Sequence, residues 1–192
     1  ANLFSGCIGI VFAFKGELET AAYFVLFSGI FDFFDGMVAR LLNVKSEIGK
    51  QLDSLADMVS FGFLPGVVMF QLLTLSDYQS LYLPYLGFII TIFSALRLAK
   101  FNIDKRQIDS FIGLPTPANA LFIMSIPTIQ YFDDYESVTN LLSNPYVLMF
   151  LTILSAYFLN ANIPLFSLKF KSFDWKSAKL QYLFMGFAVL LF

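Results

Sequence analysis

The chain has 192 residues, 58% of them hydrophobic and only 14% charged, with a mean hydropathy of +0.73 and a net charge of −2. A soluble globular domain carries roughly 25% charged residues, so the composition excludes an ordinary water-soluble enzyme; the small net charge points to no partner, and no nucleic-acid partner is expected. With no histidine and a single cysteine, Cys7, an internal disulfide, a cysteine metal site and imidazole chemistry are all excluded, which leaves carboxylates for acid–base work or metal binding.

In chain order, apolar stretches at 1–14 and 20–31 come first. Charge-free runs follow at 58–76 (19 residues), 78–96 (19), 110–132 (23) and 137–168 (32), with a last apolar stretch at 180–192. A bilayer-spanning helix needs about 20 mostly apolar residues. These lengths predict seven helical segments in one polytopic, all-α membrane domain over residues 1–192, the first and seventh reading as cut short. The opening residues have neither a basic stretch nor a small-residue cleavage site, so no signal peptide is expected.

All the basic residues except Lys15 and Arg97 fall in three clusters: Arg40, Lys45 and Lys50; Lys100, Lys105 and Arg106; Lys169, Lys171, Lys176 and Lys179. Each cluster follows an even number of predicted spans. The intervening loops carry Glu17, Glu19, Asp77, Asp133, Asp134 and Glu136. The positive-inside rule therefore puts the three basic loops in the cytoplasm. The stretch from Lys169 to Lys179 around Trp175 reads as an interfacial segment beside anionic headgroups.

Four aspartates break the lipid-facing pattern: Asp32 and Asp35 near the end of the second span, Asp53 and Asp57 near the start of the third. An ionised side chain at the centre of a membrane helix costs at least about 2.5–3.5 kcal/mol, so four of them require a cavity, a cation, or both. The i, i+3 and i, i+4 spacings put each pair on one helix face. Measured from Arg40 and Lys50 at 1.5 Å per residue, all four lie roughly 5–12 Å below the cytoplasmic boundary. The short polar turn at 41–48 makes the two helices antiparallel, so the faces can meet. A hard divalent cation bound by oxygen is the natural compensation, and Mg²⁺ suits a site shared with phosphates. A single aspartate near a helix end is ordinarily interfacial, and Gly36 or Gly49 alone is ordinarily a packing position. In this setting the glycines can also leave room for a ligand, with Arg40 in reach of a phosphate.

Residues 32–57 read Asp-x2-Asp-Gly-x2-Ala-Arg-x8-Gly-x3-Asp-x3-Asp. This pattern resembles the signature of the CDP-alcohol phosphotransferase family at every position. The resemblance implies a six-helix core, usually in a homodimer, with an active site open to the cytoplasm. It implies that Asp32, Asp35, Asp53 and Asp57 hold Mg²⁺ or Mn²⁺ against the pyrophosphate of a CDP-linked lipid. Asn2, Asp32, Gly36, Ala39, Arg40, Gly49 and Asp53 would then bind that lipid, with Asp57 as general base on the acceptor hydroxyl.

The motif does not fix the acceptor. Residues 53–65 (DSLADMVSFGFLP), 95–102 (ALRLAKFN), 111–120 (FIGLPTPANA), 160–169 (NANIPLFSLK) and the opening Asn2-Leu3-Phe4-Ser5-Gly6 resemble the phosphatidylserine synthase branch. That branch implies CDP-diacylglycerol and L-serine as substrates, phosphatidylserine and CMP as products, and a multi-pass protein of a prokaryotic cytoplasmic membrane. Archaeal archaetidylserine synthases share much of the pattern. Arg97 has no carboxylate neighbour in sequence; it either snorkels to the interface or partners an anion such as the serine carboxylate or the lipid phosphate. Asn102, Gly113 and Pro115 are candidates to line the same pocket, although Gly-x-Pro-x-Pro also reads as simple loop punctuation.

Two alternatives stay open. One is the same chemistry on glycerol 3-phosphate or an inositol phosphate, which calls for more cations than Arg97 within the spans. The other is a cation-coupled transporter, which calls for charges spread along a path or for repeated halves; the acids instead cluster at one depth.

Overall fold

The computed structural model describes residues 1–42, 46–76, 80–104, 111–132 and 136–165. The helices are α1 (Asn2–Phe14), α2 (Leu18–Leu41), α3 (Glu47–Asp57), α4 (Leu64–Leu75), α5 (Phe88–Ile103), α6 (Thr116–Phe132), α7 (Glu136–Ser143) and α8 (Pro145–Asn160). Ser46 starts α3 as an N-cap, its hydroxyl accepting from the Gly49 amide at 2.9 Å. Between α3 and α4 the chain does not stop. It widens into a π-helical segment, Met58–Phe63, so that residues 47–75 form one 29-residue span. Pro65, in the first turn of α4, has no N–H to return to the preceding turn, which favours a local change of winding just before it.

Leu18–Ala39, Glu47–Leu75 and Leu83–Ile103 are long and apolar enough to cross a membrane. The chain is an integral membrane protein of the all-α class. The predicted sixth span is broken: α7 and α8 meet at a 67° bend. The cause is local, because Asn144 caps the Tyr146 amide at 2.9 Å and Pro145 opens a new helix at its first position. If that pair counts as one bent span, the membrane-length helices among the described residues number four. The seventh segment at 180–192, the basic stretch 169–179 with Trp175, and Lys45, Lys105, Arg106, Asp77, Asp133 and Asp134 lie outside the described residues.

The 47–75 span is the hub: 61% of its most apolar 18-residue stretch is buried, against 22% of the corresponding stretch in each of the other two long spans. Its Leu64, Val67, Val68, Met69 and Leu73 meet Ala21 and Val25 of α2, Ile90 of α5, Ile123 and Met124 of α6 and Leu148 of α8 in one apolar core. Large apolar side chains such as Phe4, Phe27, Phe150 and Tyr157 point outward, as a protein solvated by lipid requires. Backbones approach closely at two glycines of the hub and its neighbour. A Cβ on Gly66 would fall on Thr91 Oγ1, and one on Gly87 would lie 2.6 Å from the Phe70 amide nitrogen and 3.0 Å from the Gly66 carbonyl oxygen. Those last atoms are backbone and cannot swing aside. Gly87→Ala is therefore expected to cost about 1–3 kcal/mol of stability, read as a lowered unfolding temperature in detergent.

The α5–α6 connection is fastened by an antiparallel pair of two-residue strands, β1 (Phe111–Ile112) on β2 (Pro164–Leu165). Gly113 turns it at φ +79°, and a Cβ there would lie 2.6 Å from the Leu159 carbonyl oxygen. Polar cross-links gather at the same end of the bundle. Lys50 reaches the Asn102 carbonyl at 3.2 Å, and Lys100 reaches Asn160 Oδ1 at 3.1 Å. The start of α3 and the ends of α5 and α8 thus lie on one side, in agreement with the grouping read from the charges.

Candidate active site

Helices α2 and α3 deliver the acids as the spacing predicts. Carboxylate oxygens of Asp32, Asp53 and Asp57 all lie within 4.8 Å of one another. Asp35 lies outside this trio. Its carboxylate lines the adjoining cavity, 3.6 Å from the Ala1 amine. The cavity has a volume of about 1080 Å³. Asn2, Asp32, Gly36, Ala39, Gly49 and Asp53 line it, six of the seven positions expected to bind the CDP-linked lipid. Arg40, the seventh, lies in α2, and its side chain is outside the described set.

Asn2 stitches the acids together. Its side-chain Nδ2 donates to Asp57 Oδ1 at 3.0 Å and to Asp32 Oδ1 at 3.4 Å, while its Oδ1 is buried without a hydrogen-bond partner. Two serines hold Asn2 in turn. Ser60, in the π-helical segment, donates to the Asn2 carbonyl at 3.1 Å, and Ser28 of α2 does so at 3.4 Å; both are fully buried. A Cβ on Gly6 would collide with Ser60, so glycine there lets α1 lie against the hub. Neither serine was expected from sequence. Ser28 stands four residues before Asp32 and Ser60 three after Asp57, on the faces that carry the acids, and that spacing was the available signal.

The site suits a hard divalent cation: three carboxylates converge, and the Asn2 amide holds two of them in place. Asn2→Ala, which removes the amide orienting two of the carboxylates, is expected to weaken Mn²⁺ binding about 10–100-fold, as losses of such orienting groups do. The readout is the free-Mn²⁺ electron paramagnetic resonance signal in a titration of the detergent-solubilised protein.

A second polar locus lies across the hub on α5. Arg97 is only 4% exposed, its guanidinium carbon sits 5.3 Å over the Phe101 ring, and its Nε has no hydrogen-bond partner. It is held in the bundle, so the snorkelling alternative does not describe it. One turn earlier the hydroxyl of Ser94 is also buried and unpartnered. Two links set the antiparallel register of α5 on the hub: Asn102 Nδ2 to Ser54 Oγ at 2.9 Å, and Thr91 Oγ1 to the Gly62 carbonyl at 3.1 Å. Between them, Arg97 comes level with Asp57 and Met58.

Asn102 is tied to Ser54 at the rim of the acid site. Gly113 and Pro115 are engaged through backbone: the Gly113 amide donates to the Ile163 carbonyl at 3.0 Å, and the Pro115 carbonyl accepts from the Asn119 amide at 3.0 Å. Neither lines the acid-lined cavity. Asn119 itself, unremarked in the sequence, is fully buried, accepts from Ser155 at 2.6 Å and has an unpartnered Nδ2.

An all-α membrane bundle with a carboxylate trio beside a large cavity defines a polytopic membrane protein with a candidate site for a hard cation. Residues 1–159 match the CDP-alcohol phosphatidyltransferase family, and the chain belongs to that family. It is 38% identical over 122 residues to a CDP-diacylglycerol–serine O-phosphatidyltransferase of Bacillus subtilis, covering 60% of this chain and 64% of that one. A protein of the same name from Helicobacter pylori is 36% identical over 130 residues, 65% of this chain and 52% of the other. An archaetidylserine synthase of Methanothermobacter thermautotrophicus is 30% identical over 139 residues, 71% of this chain and 58% of the other. The aligned stretches thus span about half to two thirds of these relatives' lengths.

Proposed function

We propose that residues 1–192 form a single domain that transfers the phosphatidyl group of CDP-diacylglycerol to the hydroxyl of L-serine, giving phosphatidylserine and CMP. The observation that carries the reading is the meeting of Asp32, Asp53 and Asp57 within 4.8 Å beside a cavity lined by Asp35, Gly36, Ala39 and Gly49 of the same motif. Arg97 favours an acceptor with a carboxylate, because a buried guanidinium requires an anionic partner and this one stands level with Asp57. The names of the relatives, in both the phosphatidyl and the archaetidyl series, share serine as the acceptor. That supports serine more firmly than it supports the chains of the donor.

Asp32, Asp35 and Asp53, with Asp57, would hold Mg²⁺ or Mn²⁺, which supplies neutralisation of charge on the phosphoryl oxygens. The remaining work falls to the chain. Gly36, Ala39, Arg40 and Gly49 receive the cytidine nucleotide in the cavity, and Asn2 orients Asp32 and Asp57. Arg97 clamps the serine carboxylate, with Asn102, Gly113 and Pro115 bounding that end of the bundle. Asp57 accepts the proton from the serine hydroxyl as its oxygen bonds to the lipid-linked phosphorus. The bond from that phosphorus to CMP breaks, and CMP leaves with the electron pair. The reading places the protein, as a homodimer, in a prokaryotic cytoplasmic membrane with the site facing the cytoplasm.

The test is release of CMP from CDP-diacylglycerol by purified protein, offered L-serine, glycerol 3-phosphate or an inositol phosphate in turn. CMP with L-serine alone supports the proposal; CMP with either phosphorylated alcohol instead moves the acceptor and leaves the reaction type standing.

A further inference from the structure

The buried face of α1 is built from small residues: Asn2, Ser5, Gly6, Gly9 and Ala13. A Cβ on Gly9 would lie 2.6 Å from Leu64 Cδ2 and 3.0 Å from Phe24 Cβ, so α1 rests closely on both α2 and the hub. Small residues let membrane helices approach, but a smooth face does not choose the axial register. Hydroxyls do that here. Ser5 of α1 donates to the Phe24 carbonyl of α2 at 3.0 Å, and Ser28 of α2 donates back to the Asn2 carbonyl at 3.4 Å. An i, i+3 pair on α1 thus exchanges bonds with an i, i+4 pair on α2. A helical serine ordinarily takes the carbonyl one turn before it; for Ser28 that carbonyl is Phe24's, which Ser5 already occupies. Ser60 of the hub adds a third bond, at 3.1 Å, to the same Asn2 carbonyl. All three serines are 3% exposed or less, and in a membrane bundle no bulk water replaces a lost partner.

We infer that Ser5, Ser28 and Ser60 are positioning residues of the acid site: they fix α1 so that one amide, that of Asn2, serves Asp32 and Asp57 together. The inference rests on the proposed cation at the acid trio and adds what sets the geometry there. The fit has little slack. Of the two bonds from Asn2 to the acids, the one to Asp32 is already 3.4 Å long, and by about 3.6 Å such a contact is no longer a hydrogen bond. A slip of α1 by one residue would carry Asn2 about 1.5 Å along the axis. Ser28 stands one turn from Asp32 on α2, and Ser60 one turn from Asp57 on the hub. The amide is therefore gripped by the same two helices that present the acids, and the serines act on the site through Asn2.

The readout is Mn²⁺ affinity, taken from the free-ion electron paramagnetic resonance signal of the full-length protein in detergent. Ser28→Ala and Ser60→Ala are each expected to weaken it about three- to tenfold, below the 10–100-fold typical of groups that bond the ligands directly. Ser28→Cys, which keeps a weak donor, should fall between Ser28→Ala and the parent. In an Asn2→Ala background the alanine substitutions should change affinity less than about twofold, because no amide is left to place. Ser76→Ala is the control. Ser76 is buried at the other end of the hub and bonds the Leu73 carbonyl of its own turn at 2.8 Å, so its loss should leave Mn²⁺ affinity unchanged. Unchanged affinity in the double variant Ser28→Ala/Ser60→Ala, with only the unfolding temperature lowered, would make the serines packing residues and overturn the inference. An equal loss of affinity with and without the Asn2 amide would overturn it too. A parent protein that binds no Mn²⁺ would sink the cation reading and this inference with it, whereas a parent that binds Mn²⁺ whatever stands at 28 and 60 sinks the inference alone.

Discussion

Asp57→Asn is expected to lower CMP release by about 10³-fold, within the 10²–10⁴ range over which a positioned general base contributes. The substitution is close to isosteric, so the loss tests proton acceptance rather than packing. Asp57 ends α3 against the π-helical segment, and Asn2 bonds its Oδ1 at 3.0 Å. An amide there still fills the place but takes no proton. Because Asp57 also belongs to the carboxylate trio, the variant should bind Mn²⁺ more weakly. The two roles separate in one experiment: raising Mn²⁺ until binding saturates should recover metal occupancy and leave the turnover deficit. Recovery of turnover at high Mn²⁺ would make Asp57 a metal ligand only.

Arg97→Met carries the second large effect, and its signature is a split between activity and stability. Each hydrogen bond to a charged group contributes about 1.5–3 kcal/mol, so a carboxylate losing its clamp should raise the KM for L-serine by roughly 10²-fold. Yet the fold should not suffer. Arg97 is 4% exposed, and its Nε has no hydrogen-bond partner. Burying a cation costs several kcal/mol, offset in part by about 2 kcal/mol from the face of Phe101. A flexible apolar residue of similar length removes the desolvation cost, and the unfolding temperature in detergent should hold or rise. Arg97→Lys should not restore serine affinity, because a point charge lacks the planar fork. A fall in stability with unchanged serine KM would make Arg97 a structural residue.

How much of this was legible in the sequence depends on whether the constraint was local. The acids were legible because their cost in a membrane span is large and their i, i+3 and i, i+4 spacing fixes a face. Spacing alone could not show that Asp35, on the same face as Asp32, lines the cavity while three others gather. Ser28 and Ser60 were passed over for a physical reason: hydroxyls in membrane helices usually bond their own preceding turn, as Thr74 and Thr152 do here. Only the long-range packing of α1 turns these two outward onto the Asn2 carbonyl. The 67° break between α7 and α8 was signalled by Asn144-Pro145 but masked by the uniform apolarity around it. The pairing of Phe111 with Leu165 joins residues from opposite ends of α6, α7 and α8, a closure that no local pattern announces. The π-helical widening after Asp57 has one sequence correlate, Pro65, which by itself marks only a helix start.

The central claim is most directly tested by incubating the full-length protein with CDP-diacylglycerol, L-serine and Mn²⁺ and following CMP and phosphatidylserine together. The account predicts that the two appear in equal amounts, that both stop with EDTA, and that omitting serine stops both. CMP released at the same rate without serine, or product formed undiminished in EDTA, would contradict it.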